Sequence, residues 1–203
     1  MPGSGHLLSG QTLYLKLREA RIIDDLLIRL ADGSIAGGIK MANGTNPRRA
    51  APFPGTRGKA AAIVREQYIK ALEYRAKVQA ANGDAAKLPP RDLRMEALVE
   101  ALDGKRIIQH HTHRHDDILT VLRLADEFKF KVVLHHVSDG WMVAKEVAAS
   151  KQVIGASVIV IDVREKDEWD AGHIAQATFL PRGRLEGRVE ELVPDKNATI
   201  VTH

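Results

Sequence analysis

Residues 110–117 read His-His-Thr-His-Arg-His-Asp-Asp, so four imidazoles and two carboxylates fall within one short stretch. His135 and His136 close the next apolar run. Neutral imidazole is a good ligand for zinc and similar divalent metals. A strand turns alternate residues to one side, so His111 and His113 can point together. Two neighbouring parallel strands that both end in histidine would deliver their imidazoles to a single rim. The bland alternative is a set of surface histidines beside a basic loop, and any one of them, such as His115, can be a bystander. Lys40 lies in a short apolar run, SIAGGIKMANG (34–44), where a lysine can also simply reach for solvent.

The chain contains no cysteine. Disulfides, thiolate metal ligands and a cysteine nucleophile are therefore excluded from these 203 residues.

The elements that must position the histidines follow from periodicity and breakers. HLLSGQTLYLKL (6–17) alternates like a strand, 24–31 reads as a short helix, and 34–44 as a buried strand ending in a Gly/Asn turn. Residues 46–58 hold three prolines and two glycines and are expected to form a functional loop. The spacing of Ala61, Val64, Tyr68, Leu72 and Ala76 predicts a helix over 59–81, and Asp92 is placed to cap a second over 92–102. Strand 106–111, helix 116–129, strand 131–136, helix 139–150 and strand 153–163 then alternate. A short helix at 165–172, a strand at 177–181, a helix at 184–193 and a strand at 198–203 complete the chain. Such alternation predicts an α/β fold with a parallel sheet and ligands beyond the carboxyl ends of its strands.

Hydrophobic residues make up 44% and charged residues 28% of the chain, a soluble globular composition. The net charge of +4 is spread among acidic residues and aromatics are only 4%, which argues against nucleic acid as a partner. No apolar run approaches the roughly 18 residues of a membrane span, and the first residues lack a secretory pattern. The expectation is a cytoplasmic protein with no membrane partner.

IKMANGTNPRR, FPGTRGKAAAIVREQYIKALEY, HTHRHDDI and VLHHVSDGWMVAKEVA resemble a subgroup of the amidohydrolase superfamily related to imidazolonepropionases and metal-dependent dipeptidases. The likeness covers about residues 4–160. It implies part of a (β/α)8 barrel that hydrolyses amide or related C–N bonds of a small molecule with one or two divalent metals, zinc above all. It further implies that His111 and His136 are metal ligands and that Lys40 resembles a lysine, often carboxylated, that bridges two metals. His113, Arg114 and His135 would be substrate-binding or outer-shell groups. The family's first-strand His-x-His pair and its eighth-strand aspartate have no counterpart here. The expected segment therefore enters the barrel near its third strand and leaves near its seventh, with little or no turnover.

VIVIDVREKDEWDAGHIAQATFLPRGRLEGRVEELVPDKNATIVTH resembles the first half of a rhodanese domain. Asp162, Arg164, Glu165, Gly172 and His173 carry its motif, with Trp169 as an apolar anchor. In that family the strand matching 198–203 leads to the catalytic cysteine. Without a thiolate no persulfide can form, so these residues are expected to be structural. The two likenesses overlap within 153–163, which is expected to be one buried strand shared by an amidohydrolase-like region (1–156) and a truncated rhodanese-like region (157–203). The expected fold is thus a partial barrel or open parallel sheet continued by a half rhodanese-like βα unit. An open composite sheet favours self-association into a homo-oligomer. Two other functions stay open: a recombined or engineered non-catalytic scaffold, and an inactive rhodanese-like binding module.

Overall fold

The computed structural model describes residues 4–50, 53–154, 158–171, 178–184, 187–188, 191 and 199–202. Its first sheet has four strands in spatial order β1 (Leu8–Gln11), β2 (Gly38–Ala42), β3 (Ile107–Thr112) and β4 (Val132–His136). β1 runs antiparallel to β2, whereas β2, β3 and β4 are parallel. The sheet is open as described, a mixed α/β arrangement with mostly parallel strands. Close approach of the chain to the start of β2 is possible because residue 37 is glycine: a Cβ there would stand 2.1 Å from the Thr12 carbonyl oxygen.

Three helices cover one face of this sheet. α1 (Arg57–Ala81) begins where the Thr56 hydroxyl accepts from the Lys59 backbone N–H at 3.1 Å, and it ends at Asn82 in the left-handed region. Its buried stripe is Ala60, Val64, Tyr68 and Ala71. Val64 and Tyr68 match the expected stripe, but Ala76 is exposed and the small residues Ala60 and Ala71 take the places expected of Ala61 and Leu72. α2 (Leu93–Leu102) is capped by Asp92, whose carboxylate accepts from the N–H groups of Arg94 and Met95. α3 (His115–Phe128) buries Ile118, Val121, Leu124, Ala125 and Phe128. Tyr68 lies at the centre of this layer, fully buried and stacked on Phe128 and Phe130 with ring centres 5.1 and 5.0 Å apart.

The helix expected over 24–31 does not form. Residues 23–26 make one 3-10 turn, and the chain then runs back antiparallel to itself through the bridges Leu15↔Leu27 and Arg29↔Ile35. The segment is an arm rather than a packed helix. Leu13, Leu15, Leu17, Ile22, Ile23 and Ile28 are all exposed on it, so there is no core to reward a helical apolar stripe.

After β4 come a 3-10 turn at 140–143 and α4 (Ala144–Ala149). Val153 then bridges to Val132 beside the first sheet. β5 (Val158–Asp162) is the middle strand of a second sheet, between β6 (Thr178–Phe179) and β7 (Thr199–Thr202), with both pairings parallel. Residues 155–157 lie outside the described residues, so the expected single strand over 153–163 is described only at its two ends. α5 (Lys166–Ala171) follows β5, and its Trp169 packs on Phe179 of β6 with ring centres 5.1 Å apart. Of the helix expected over 184–193, Arg184 ends a 3-10 turn and Gly187, Arg188 and Glu191 are helical. Among the described residues no helix is long and apolar enough to cross a membrane.

Candidate metal centre at the strand ends

Parallel register fixes which side chains share a face. Lys40 pairs with Gln109, Ala42 with His111, His111 with His135, and Thr112 with His136. Lys40, His111 and His135 therefore stand on the side of the sheet away from the helical core, while Ile39, Met41, Ile108 and His110 point into or beneath the helices. His110 is a core histidine. Its Nδ1 lies 3.0 Å from the His111 carbonyl oxygen, and burial pushes its pKa down to about 3.

Three rings meet at the rim. His111 stands edge-on to His113 and to His136, with ring centres 4.5 Å apart in both cases, and His113 stacks on His136 at 5.2 Å. His135 is further off, 6.5 Å from His136. His111 is 4% exposed. Its Nε2 lies 2.8 Å from Asn46 Nδ2, and its Nδ1 is buried with no hydrogen-bond partner. His113 Nδ1 lies 2.8 Å from the Ser138 hydroxyl.

The backbone that delivers His136 is unusual. His136 and Val137 both take left-handed conformations, with φ of 73° and 50°. A β-branched residue there costs on the order of 1–3 kcal/mol. Two cross-links hold the turn in place. Val137 N–H donates to the Thr112 carbonyl at 3.0 Å, and Asp139 N–H donates to the His113 carbonyl at 2.9 Å.

The electrostatics favour neutral rings. Burial first, then the neighbouring His113 and His136, push His111 down to about 4. Burial also lowers His135 and His136, with Lys40 adding to both shifts. Lys40 is 2% exposed, and burial lowers its pKa as well. Neutral imidazoles with accessible lone pairs are the form that binds zinc.

A metal at this rim fits the donor chemistry: imidazoles packed together, one carrying an orphaned buried nitrogen. Among the described residues, however, no three His, Asp or Glu side chains already stand in ligating positions. Arg114 forms a two-pronged ion pair with Asp116, both contacts at 3.0 Å, at the start of α3. His115 faces Asp139, with Nδ1 3.6 Å from the carboxylate. Neither is part of the three-ring cluster.

Sequence reasoning missed Asn46 and Ser138. Asn46 lies in the loop flagged at 46–58, and Ser138 directly follows the His135–His136 pair, so proximity to a strand end was the available signal. Sequence reasoning also missed the ion pair between Arg57 Nε and Asp117 Oδ2, 3.0 Å long, with the Asp117 side chain 7% exposed. It joins the N-termini of α1 and α3. In the rhodanese-like segment Asp162 ends β5, and the Glu165 backbone N–H donates to the Glu168 carboxylate at 3.3 Å as α5 begins. Arg164 precedes it, and Gly172 and His173 lie outside the described residues.

Comparison with known proteins follows the same division. The rhodanese-like domain family matches residues 143–203, reaching back beyond the expected boundary at 157. A solved structure described as an amidohydrolase from Thermotoga maritima MSB8 superposes with a TM-score of 0.65 at 32% sequence identity. The match covers 75% of this chain and 40% of that one, so the chain spans well under half of that protein. No curated protein matches the chain.

Proposed function

We propose that residues 1–156 form a metal-binding segment of amidohydrolase type, in which His111 and His136 hold a divalent transition metal, joined to a rhodanese-like segment without a thiolate. The observation that carries this reading is the 4.5 Å edge-to-face contact of His111 with His136, beside an unpartnered buried Nδ1. Zinc suits the nitrogen donors. The likeness to the Thermotoga amidohydrolase and the parallel β2–β3–β4 pairing support a partial (β/α)8 barrel. When bound, the metal would polarise a carbonyl oxygen and acidify a water. Lys40 is the candidate bridging group. Its burial favours the neutral amine, the form that can be carboxylated.

The substrate class is a small-molecule amide. His135 and Arg114 flank the site as candidate substrate contacts. For residues 143–203 the rhodanese match supports a rhodanese-like binding module as a second reading.

Calorimetric titration of metal-free protein with zinc tests the reading. The expected result is zinc bound at the rim by the unsubstituted chain, with strong weakening in His111→Ala and His136→Ala. Equal binding by all three, or no binding by any, removes it.

A further inference from the structure

We infer that His113 is the third protein ligand of this metal, and that Ser138 is the positioning residue that holds its ring. The inference rests on the reading of the rim as a metal centre. Three imidazoles bound to one zinc at Zn–N distances of about 2.0–2.1 Å in tetrahedral array have ring centres about 5 Å apart. The separations of His111, His113 and His136 are 4.5, 4.5 and 5.2 Å. The ring centres are spaced as such a metal needs, although their nitrogens do not yet converge among the described residues, so the rings must turn to bind it.

Each outer contact leaves a nitrogen for the centre. Ser138 Oγ engages His113 at Nδ1, which frees Nε2. Asn46 engages His111 at Nε2, which leaves Nδ1, the buried nitrogen without a partner. The same Asn46 Nδ2 also donates to the Ser4 hydroxyl at 2.9 Å, and a hydroxyl can donate or accept. The amide can therefore turn its oxygen toward Nε2–H and set the tautomer with a lone pair on Nδ1. Ligand histidines are commonly fixed by a polar partner on the other ring nitrogen. Here two of the three have one.

Ser138 is itself fixed. The bond from Asp139 N–H to the His113 carbonyl and the bond from Val137 N–H to the Thr112 carbonyl bracket it, so the loop after β4 is held against the extension of β3. Lys40 occupies a different level: its register partner is Gln109, two residues before His111 along β3. Three nitrogen ligands leave a fourth position for water or substrate, the pattern of open zinc sites.

The test uses the full chain, zinc calorimetry, and the visible absorption of the cobalt(II)-loaded protein, which reports ligand number and type. His113 and Ser138 are exposed, so alanine there leaves the core intact. His113→Ala is expected to weaken zinc by more than about a hundredfold, and Ser138→Ala by about ten- to a hundredfold with a shifted cobalt spectrum. Ser138→Thr is expected to restore both, and His115→Ala to bind like the unsubstituted chain. Equal zinc affinity and an unchanged cobalt spectrum in His113→Ala would overturn the inference while the rim remained a metal centre. So would loss of zinc in Lys40→Met with His113→Ala unaffected. Absence of zinc binding by the unsubstituted chain defeats the metal centre itself.

Discussion

His136 meets the edge of His111 at 4.5 Å from a backbone in the left-handed region, φ 73°, and the residue after it, Val137, is left-handed too. Backbone of this kind is found where the surrounding structure over-determines it. Here the strained turn aims one imidazole across the strand ends at another.

The histidines make stability depend on pH. His110 and His111 have folded pKa values of about 3 and about 4, below the ordinary value of 6.5, and His135 and His136 shift the same way. Lowered histidine pKa values mean that the unfolded chain binds protons first. Stability is complete above about pH 6.5 and is lost as pH falls toward 4 and then 3. Each group contributes a slope of up to about 1.4 kcal/mol per pH unit in that window. Urea unfolding with chelator present, at pH 7 and pH 4.5, is expected to show a loss of several kcal/mol. His110→Leu is expected to flatten the dependence.

Tyr68 tests the helical core. Tyr68→Ala removes a ring stacked on two others and is expected to cost about 3–5 kcal/mol. Tyr68→Phe keeps both stacks and loses the contact of its hydroxyl with Met41 Sδ at 3.4 Å, so it is expected to cost under about 1 kcal/mol. A similar loss in both variants by chemical denaturation would mean that the hydroxyl contact outweighs the packing.

The Arg57–Asp117 pair should behave as a buried ion pair. Arg57→Met strands a carboxylate that is 7% exposed and is expected to destabilise by about 3 kcal/mol. Arg57→Met combined with Asp117→Leu should recover much of that loss. Gly44→Ala probes the same place from the loop: its φ is +73°, and the new Cβ would lie 3.0 Å from Asp117 Oδ2. A cost of about 1–2 kcal/mol is expected. Additive losses in the Arg57/Asp117 double variant would show that the two groups are not coupled.

Self-association is expected through the exposed arm. Leu17 is 90% exposed and Ile22 and Ile23 are more than half exposed on this segment. Light scattering after size exclusion should give a mass above 22.4 kDa. Leu17→Lys with Ile23→Lys should shift it toward the monomer. A monomeric unsubstituted chain at tens of micromolar would rule this out.

What could be read from the sequence and what could not divide along local and distant contacts. The helices at 59–81, 92–102 and 116–129 announce themselves by caps and apolar spacing, and each is found within a few residues. The alternation after residue 106 gave the parallel β3–β4 pair, and with it His111 beside His135 and Thr112 beside His136. Residues 24–31 misled because Leu26, Leu27, Ile28 and Leu30 after two aspartates mimic a helix start. Only the tertiary pairing of Leu15 with Leu27 shows that the segment is an extended arm. The resemblance puts His113 outside the metal ligands, and strand alternation says which face it takes, not how far the next loop turns. That turn depends on the left-handed pair at 136–137 and on bonds from Val137 and Asp139 to the distant carbonyls of Thr112 and His113. Asn46 could not be matched to His111 from spacing, since the two are 65 residues apart.

All three clustered rings, their Ser138 contact and both backbone cross-links arise from one strand–helix–strand stretch and the turn after it, 107–139. Asn46 reaches in from elsewhere to His111 Nε2, and Asn43 N–H to the His111 carbonyl. The ring closure needed to assemble the cluster is therefore short, and its conformational cost does not grow with the rest of the chain. A rim made this way is a self-contained cassette. It needs no closed barrel to bring its parts together, so it can persist through exchange of the surrounding strands and be moved as a unit into another parallel sheet.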